Sequence, residues 1–216
     1  MHSRFGIIGD VHTEAETLLR ALEHLQAIGA ERLLCVGDLP DGPGDAFDVD
    51  ECCQLLKRYE VTTVCGNHDR WLLEDTMRDL RDATVRLELE PETIEYLQGL
   101  PSTRDIETTL GTFLLCHGMG ADDMARVEPH DHGYAIRNNE PLQALLRAKR
   151  YPAVINGHTH RRMVRRVGNL TIINAGTLHR EYRPCFACLD TEHATVDYFA
   201  PTGETLEHFS LTVRDA

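Results

Sequence analysis

The chain has 216 residues, which is enough to bury one substantial hydrophobic core, and we expect a single domain over residues 1–216. Its 22 basic and 35 acidic residues give a formal charge of -13, which opposes binding to nucleic acid and to anionic membranes. The sequence has no run of 18 apolar residues and no signal-peptide pattern at its start, so we expect a cytoplasmic protein without a membrane partner.

The first elements predict a strand, helix and strand in which both strands end in polar residues. The predicted elements are a strand at 5–9, an amphipathic helix at 13–28 and a strand at 33–36. Asp10 and His12 follow the first strand, and Asp38 follows the second. Side chains at the carboxyl ends of strands are where sites of α/β proteins lie, so these three are candidate functional residues.

A loop, a helix and a third strand come next. Residues 40–50 are rich in Pro, Gly and Asp, which predicts a solvent-facing loop over the site, and a helix follows from about Phe47 to Arg58. A strand at 61–65 ends in the tetrapeptide Gly66-Asn67-His68-Asp69. Apolar residues at helical spacing from Trp71 to Leu80 then predict another helix.

The second half continues with strands that end in histidines. The predicted elements are a helix at 92–100, an edge strand at 104–108, a strand at 112–116, a helix at 142–150, a strand at 153–156 and a hairpin of 163–167 with 170–173. His117 follows one strand, and Gly157-His158-Thr159-His160 follows another. Residues 119–140 lack periodicity and are interpreted as an irregular loop or lid. Strands alternate to Val213, with core candidates Phe186, Leu189, Val196, Tyr198, Leu206 and Leu211.

Seven cysteines in irregular positions make a poor disulfide framework, so we expect reduced thiols. Cys185 and Cys188 form one CxxC sequence within a strand-like stretch. A separation of three residues places side chains on opposite faces of a strand, which argues against a zinc or redox site there.

Potential metal ligands therefore recur at the carboxyl ends of five predicted strands. They are Asp10, His12, Asp38, Asn67, His117, His158 and His160. Oxygen and imidazole ligands together suit Mn, Fe, Zn, Co or Ni, whereas Mg and Ca prefer oxygen alone. Two cations about 3.5–4 Å apart repel each other unless an anion bridges them, and Asp38 is the natural bridge.

Five motifs together resemble the signature of the calcineurin-like metallophosphoesterase superfamily, in its small bacterial and archaeal form. They are Asp10-x-His12, Gly37-Asp38, Gly66-Asn67-His68-Asp69, His117 and Gly157-His158-Thr159-His160, in order between residues 5 and 177. The resemblance implies an α/β fold, a two-sheet αββα sandwich. It also implies an enzyme that hydrolyses phosphodiesters or phosphomonoesters of small molecules, with nucleotides among the candidates.

The same resemblance assigns roles to individual residues. It implies one metal ion on Asp10, His12, Asp38 and His160, and a second on Asp38, Asn67, His117 and His158. Two divalent transition-metal ions, manganese first and iron, zinc, nickel or cobalt as alternatives, would activate a bridging hydroxide. His68 would protonate or hydrogen-bond the leaving oxygen, with Asp41 as the carboxylate that orients it and Asp69 as the second candidate for that role.

One position departs from the pattern of that superfamily, and three competing functions stay open. Relatives that act on phosphoproteins carry an arginine directly after the Asp41 position, and here that residue is Gly42, which weakens the interpretation as a Ser/Thr protein phosphatase. Arginines that could contact phosphate instead are Arg70, Arg137, Arg161, Arg162 and Arg180, although a solvated surface role is the simpler expectation for each.

Asn174 and Thr177 either support ligands or only form a turn. A non-catalytic binding scaffold would lack ligands, and a nuclease would need a basic groove.

Overall fold

Two β-sheets pack face to face between layers of helices in the computed structural model, which describes residues 2–211. The helices are α1 (Ala15–Ala27), α2 (Ala46–Arg58), α3 (Asn67–Glu74), α4 (Pro91–Gln98), α5 (Tyr134–Arg137) and α6 (Glu140–Ala148), with a 3-10 helix at Arg86–Glu88. The strands are β1 (Arg4–Ile8), β2 (Arg32–Cys35), β3 (Thr62–Thr63), β4 (Thr103–Thr108), β5 (Gly111–Cys116), β6 (Ala153–Asn156), β7 (Met163–Val167), β8 (Leu170–Asn174), β9 (Phe186–Asp190), β10 (Thr195–Phe199) and β11 (Thr205–Ser210).

Both sheets mix parallel and antiparallel strands. The first has the order β11-β10-β9-β1-β2-β3, with β1, β2 and β3 parallel, and the second has the order β4-β5-β6-β8-β7, with β5, β6 and β8 parallel. The parallel strands are neighbours within each sheet and run in the same direction, so their carboxyl ends gather along one edge of the sandwich. The predicted fold class, an α/β two-sheet αββα sandwich, is confirmed.

Three groups of buried apolar side chains hold the layers together. The central group joins the facing sides of the two sheets and includes Phe5, Leu34 and Phe113. A second group packs α1, α2 and α4 on the outer side of the first sheet. A third packs Leu142 of α6 on the outer side of the second sheet. Each sheet is therefore covered on both faces, which is what near-continuous apolar strands such as β1, β2 and β6 require.

The helix predicted as far as Leu80 is shorter than expected. α3 ends at Glu74, and Asp75 adopts the left-handed conformation with a φ of 54°, which closes the helix. Met77, which the spacing placed on a buried helix face, has a φ of 52° and is 51% exposed. Leu206 was expected in the core but lies on the edge strand β11 and is 38% exposed.

The loop at residues 40–50 differs from the expected solvent-facing loop. Its first part, Pro40, Asp41 and Gly42, is buried, and only the stretch before α2 reaches solvent. Asp45 ends that stretch and caps α2, with its side chain accepting from the N–H groups of Phe47 and Asp48. The loop thus supplies buried polar groups to the site instead of covering it.

The cysteines carry no disulfide, and all seven are free. Cys185 and Cys188 contribute to different apolar groups, on opposite sides of the first sheet, as their spacing predicted. The predicted strand end at Val213 lies outside the described residues. Among residues 2–211, none of the helices is long and apolar enough to cross a membrane.

Residues 119–140 contain only the short helix α5 but make many contacts with the sandwich. Arg70 donates twice to Asp123, at 2.7 and 3.0 Å, from α3. Arg165 of β7 donates to the carbonyl oxygens of Glu128, at 2.7 Å, and of Asp131. The segment is thus anchored at two points on opposite sides of the strand ends.

Candidate metal centre

The candidate ligands lie together because both sheets direct the carboxyl ends of their parallel strands to the same edge. Asp10 follows β1, Asp38 follows β2, and His117 and His158 follow β5 and β6. An isolated parallel bridge between Asp10 and Thr177 links the first sheet to the second at this edge. The seven residues predicted as ligands therefore come from segments far apart in sequence but adjacent in space.

The backbone at this edge is unusually strained. Five of the candidate residues have a left-handed φ: His12 at 49°, Asp38 at 51°, Asp41 at 60°, His158 at 66° and His160 at 57°. This conformation is uncommon for residues with a side chain and costs of order 1–3 kcal/mol when the surroundings impose it. Its concentration in the candidate residues indicates that their side chains are held in position at some expense to stability.

The Asp38 carboxylate presents one oxygen to two histidines. Its Oδ1 accepts from the N–H of His68 at 2.8 Å, which fixes the carboxylate plane. Its Oδ2 lies 3.1 Å from Nε2 of His117 and 3.9 Å from Nε2 of His12. A single carboxylate between two imidazoles has the placement that a bridging ligand needs.

Gly66 permits this close approach of Asp38 to the start of α3. A Cβ atom at Gly66 would lie only 2.2 Å from Oδ1 of Asp38. A side chain at position 66 would therefore displace the carboxylate.

His117 and Asn67 form the second side of the cluster. His117 donates from Nδ1 to the carbonyl oxygen of Val36 at 2.8 Å, which leaves Nε2 as the nitrogen that faces the site. Oδ1 of Asn67 lies 2.9 Å from that Nε2, and the ring of His158 lies 5.3 Å from the His117 ring. Each candidate ligand on this side directs a nitrogen or oxygen atom into the same space.

On the other side, Asp10 carries a buried oxygen that has no partner. Asp10 is fully buried, and within residues 2–211 its Oδ2 has no hydrogen-bond donor. The nearest nitrogen, Nε2 of His160, is 3.4 Å away and itself lies 3.0 Å from Nε2 of His12. Because His12 donates from Nδ1 to the carbonyl oxygen of Asp41 at 2.7 Å, its Nε2 lone pair also points into this space.

A single cation in this space would contact all three of these atoms. Burial raises the pKa of the Asp10 carboxyl to about 7, so a bound cation would favour its ionised form and would take the Nε2 lone pairs of the two neutral imidazoles as ligands. Three sets of side chains bring ligand atoms within 4.8 Å of one another: Asp10, His12 and His160; His12, Asp38 and His68; and Asp38, His117 and His158. The donor set fits two divalent cations that share Asp38.

An imidazole must be neutral to bind a cation. The pKa values of three of the histidines favour the neutral form, whereas the pKa of His117 favours the protonated form. Burial lowers the pKa of His12 and of His158 to about 4 and that of His160 to about 3, so these imidazoles are neutral at pH 7. Burial would also lower the pKa of His117, but the charge of Asp38, the hydrogen bond to it and the charge of Asp10 together outweigh burial and raise that pKa to about 10. Burial would raise the pKa of Asp38, but the charge and hydrogen bond of His117, with the other histidines beside it, together outweigh burial and lower that pKa, so Asp38 is held ionised.

A three-residue chain of polar contacts lies beside the cluster. Nδ1 of His68 is 2.8 Å from Oδ2 of Asp41, and the His68 ring lies 4.9 Å from that of His12. Arg78 donates two hydrogen bonds to the same carboxylate, at 2.6 Å to Oδ2 and 3.0 Å to Oδ1. The N–H of Thr84 donates to Oδ1 at 2.9 Å. Sequence reasoning did not identify Arg78, because it belongs to no motif and the spacing placed it in a helix that in the structure ends earlier, at Glu74.

Asp69 has a different set of partners from Asp41. Its carboxylate accepts from the N–H groups of Asp38 and Leu39, both at 2.9 Å, and of Gly66 at 2.7 Å. The residue is fully buried, and burial raises the pKa of its carboxyl to about 6. Asp69 therefore ties the loop after β2 to the start of α3, while Asp41 is the carboxylate that contacts His68.

Replacing Asp69 with Asn is expected to destabilise the protein by about 1–3 kcal/mol, because the new amide N–H₂ would face a buried N–H donor and leave it unsatisfied. Urea denaturation of metal-free protein measures this change. Glu23→Gln, which neutralises an exposed acid on α1, is the matched control and should leave the denaturation midpoint unchanged. Equal stability of Asp69→Asn and wild type would show that these three contacts contribute little.

The presence of Gly42, where relatives that act on phosphoproteins carry an arginine, has a structural reason. A Cβ atom at this position would lie 2.1 Å from the carbonyl oxygen of His12, so the loop packs too closely for any side chain. An arginine at position 42 cannot be accommodated without moving the loop that carries Asp41. Phosphate contacts, if made by arginine, must come from elsewhere in the chain.

Most of the arginines proposed to replace it are already paired. Arg70 is bound to Asp123, Arg162 contacts Glu207 at 3.0 Å, and Arg180 contacts Glu14 at 2.7 and 3.1 Å. Arg161 makes a looser pair with Glu128 at 3.7 Å, and Arg137 is exposed on α5.

Residues 174–179 support the cluster from the second sheet. Asn174 donates to the carbonyl oxygen of Gly157 at 2.6 Å, and the hydroxyl of Thr177 donates to that of Asp10 at 2.8 Å. His179, which sequence reasoning missed, is nearly buried, with its ring 5.4 Å from that of His12. Its position depends on a turn after β8 that carries no motif.

Comparison with known proteins gives one family over most of the chain. A sequence profile of the calcineurin-like phosphoesterase superfamily domain matches residues 4–194. An uncharacterized protein of Methanocaldococcus jannaschii is 24% identical over 106 residues, which cover 46% of this chain and 42% of that relative. The chain therefore matches less than half of the length of that relative.

Solved structures share the fold at low sequence identity. A hypothetical protein from Pyrococcus horikoshii superposes with a TM-score of 0.72 at 16% identity, covering 91% of this chain and 87% of that one. A metallophosphoesterase from Sphaerobacter thermophilus has a TM-score of 0.67 at 19% identity, covering 95% and 89%. Both contain the two-sheet sandwich described above.

Proposed function

The chain belongs to the calcineurin-like phosphoesterase superfamily, and from that premise we propose that it is a phosphoesterase that depends on two divalent transition-metal ions. Its substrates would be phosphodiesters or phosphomonoesters of small molecules, with nucleotides among them. Manganese is the first candidate metal, because the mixed oxygen and imidazole donors suit it.

The observation that supports this proposal most is the unpaired Oδ2 of Asp10 among neutral imidazoles. Burial raises the pKa of the Asp10 carboxyl to about 7, so its ionised form, with Oδ2 next to His160 and without a donor, is costly unless a cation binds there. Metal 1 would be held by Asp10, His12, Asp38 and His160, and metal 2 by Asp38, Asn67, His117 and His158. Bound ions would supply Lewis-acid activation of water and neutralise charge on the phosphoryl oxygens.

His68 would handle the proton of the leaving group. In hydrolysis a P–O bond forms to the oxygen of water, the P–O bond to the leaving group breaks, and the departing oxygen needs a proton. His68 has its Nδ1 on Asp41, so Nε2 is the nitrogen that can give this proton. Burial lowers the pKa of His68, but the hydrogen bond to Asp41 and the charges of the three neighbouring aspartates together outweigh burial and raise the pKa, which favours the protonated ring. The attacking water loses its proton to solvent.

Arg78 would act as a positioning residue for this step. Its two contacts with Asp41 fix the carboxylate that holds His68. In Arg78→Ala we expect turnover of esters with poor leaving groups to fall roughly 10- to 100-fold, because a misplaced proton donor costs about this much. Esters of p-nitrophenol, whose leaving group needs little protonation, should lose less.

The measurement is kcat for phenyl and p-nitrophenyl esters at equal metal content. Arg81→Ala, which removes an exposed arginine three residues away, is the control and should retain wild-type turnover of both. An equal loss on both esters would contradict the positioning role and indicate a general structural effect.

Hydrolysis itself is tested with protein freed of metal by chelation and then loaded with manganese. We expect release of p-nitrophenol from bis-p-nitrophenyl phosphate or p-nitrophenyl phosphate, and none before loading. Product mass spectrometry on a panel of nucleotides would then identify the bond that is cleaved. Absence of hydrolysis of all monoesters, diesters and dinucleoside polyphosphates by metal-loaded protein would refute the proposed function.

A further inference from the structure

A cavity of about 670 Å³ opens directly beside the candidate ligands His158 and His160. Its walls come from the anchored segment around Arg126, from the turn after β6, from residues 181–183 and from β11. The reacting phosphate would lie at one end of this space, so the remainder of a substrate can extend into it.

The charged side chains in this cavity are not all paired with one another. Arg161 pairs with Glu128, and Arg162 pairs with Glu207. The other two lining arginines, Arg126 and Arg183, are exposed. Among the side chains described in residues 2–211, neither guanidinium has an ion-pair or hydrogen-bond partner.

The lining also includes one acidic side chain outside these two pairs, Glu181. Two arginines and one acidic residue therefore line the cavity outside the two pairs, in a protein whose total charge is -13. A second anionic group of a substrate would find its partners here.

Tyr182 offers a flat apolar surface at the same place. Tyr182 is 52% exposed, although its ring also contacts two neighbouring aromatic rings. The ring centroid lies 4.9 Å from that of His160, at an interplanar angle of 78°, and 4.8 Å from that of His179, at 81°. A tyrosine that is held by two rings and still half exposed can stack on a planar base without first losing much conformational freedom.

We propose that this cavity binds the part of the substrate that does not react, and that this part is a nucleotide with more than one phosphate group. The base would stack on Tyr182, and a phosphate beyond the reacting one would bind Arg126 and Arg183. The inference rests on the proposed function, since it assumes that the reacting phosphate lies at the metal centre. It deepens that function by naming nucleoside polyphosphates as the substrate class.

Binding without turnover tests the cavity separately from hydrolysis. ADP is titrated calorimetrically into the metal-free full-length chain, and adenosine and pyrophosphate are titrated in parallel. We expect ADP to bind more tightly than either fragment. In the double variant Arg126→Ala/Arg183→Ala its affinity should fall about tenfold or more, since two charge-assisted contacts are lost. Tyr182→Leu should weaken ADP but not pyrophosphate, while Tyr182→Phe should keep the affinity for ADP.

Arg58→Ala is the matched control for the arginines. Arg58 is an exposed arginine in the last turn of α2, before the amino-terminal end of β3 and so opposite the strand ends that carry the candidate ligands, and this variant should bind ADP as wild type does. Thermal unfolding of each variant checks that it is folded. In metal-loaded protein, the ratio of kcat/KM for a nucleoside polyphosphate to that for bis-p-nitrophenyl phosphate should fall in the double variant.

The outcomes separate the two proposals. Equal ADP affinity in wild type and the double variant would overturn the cavity assignment, and equal affinity of wild type for ADP and pyrophosphate would overturn the stacking on Tyr182. If ADP binding depends on these residues but the metal-loaded protein hydrolyses no ester, the cavity assignment stands and the proposed function fails.

Discussion

Asp38→Asn is expected to lose both metal and activity, because this carboxylate is the one candidate ligand that faces both sides of the cluster. Asparagine keeps the shape of the side chain and can still accept from the N–H of His68, so the fold around α3 should persist. The change removes the negative charge between His12 and His117. Without a shared anion, two cations at about 3.5–4 Å repel each other, and no more than one should bind.

We therefore expect a fall in kcat of at least about 10³-fold, since the loss of one Lewis acid removes several kcal/mol of transition-state stabilisation. Bound metal is measured by ICP-MS after gel filtration, and turnover with bis-p-nitrophenyl phosphate. Asp79→Asn, which neutralises an exposed aspartate outside the cluster, is the control. Two ions per chain in Asp38→Asn would show that Asp38 does not bridge.

His68→Asn is the second variant with a large expected effect, and it should separate metal binding from catalysis. His68 contacts Asp41 through Nδ1, and its backbone N–H, not its ring, holds Asp38. The variant should keep two ions per chain and lose roughly 10²–10⁴-fold in kcat, the range for a lost acid catalyst. The loss should be largest for esters with poor leaving groups.

The ring of His68 also lies close enough to His12 and Asp38 to bind a cation with them, so the metal content decides between two roles. Loss of an ion in His68→Asn would make His68 a ligand, and unchanged turnover would remove it from the mechanism. His193→Asn, an exposed histidine in the turn between β9 and β10, should retain both metal and turnover.

Much of the fold could be predicted because apolar runs and polar strand ends are local signals. β1, β2, β5 and β6 are short, mostly apolar strands, and each is followed within three residues by a candidate ligand. Helical spacing identified α1, α2 and α6 for the same reason, since each buries one face. The spacing misled at Met77 and Leu80, where a left-handed Asp75 had already ended the helix.

The contacts that support the site could not be predicted in the same way. Arg78 reaches Asp41 across 37 positions of sequence from an irregular segment, and no periodicity indicates such a contact. Asp69 and Asp41 were alternatives in the sequence because both are acids near His68. Only the three-dimensional structure shows that the Asp69 carboxylate accepts hydrogen bonds from three backbone N–H groups.

The measurement that tests the account most directly is a manganese titration of metal-free protein, followed at each step by bound metal and by hydrolysis of bis-p-nitrophenyl phosphate. The geometry around Asp38 predicts that activity rises until two ions are bound per chain and then stays constant. Full activity at one ion per chain, or no hydrolysis with both ions bound, would contradict a dinuclear phosphoesterase.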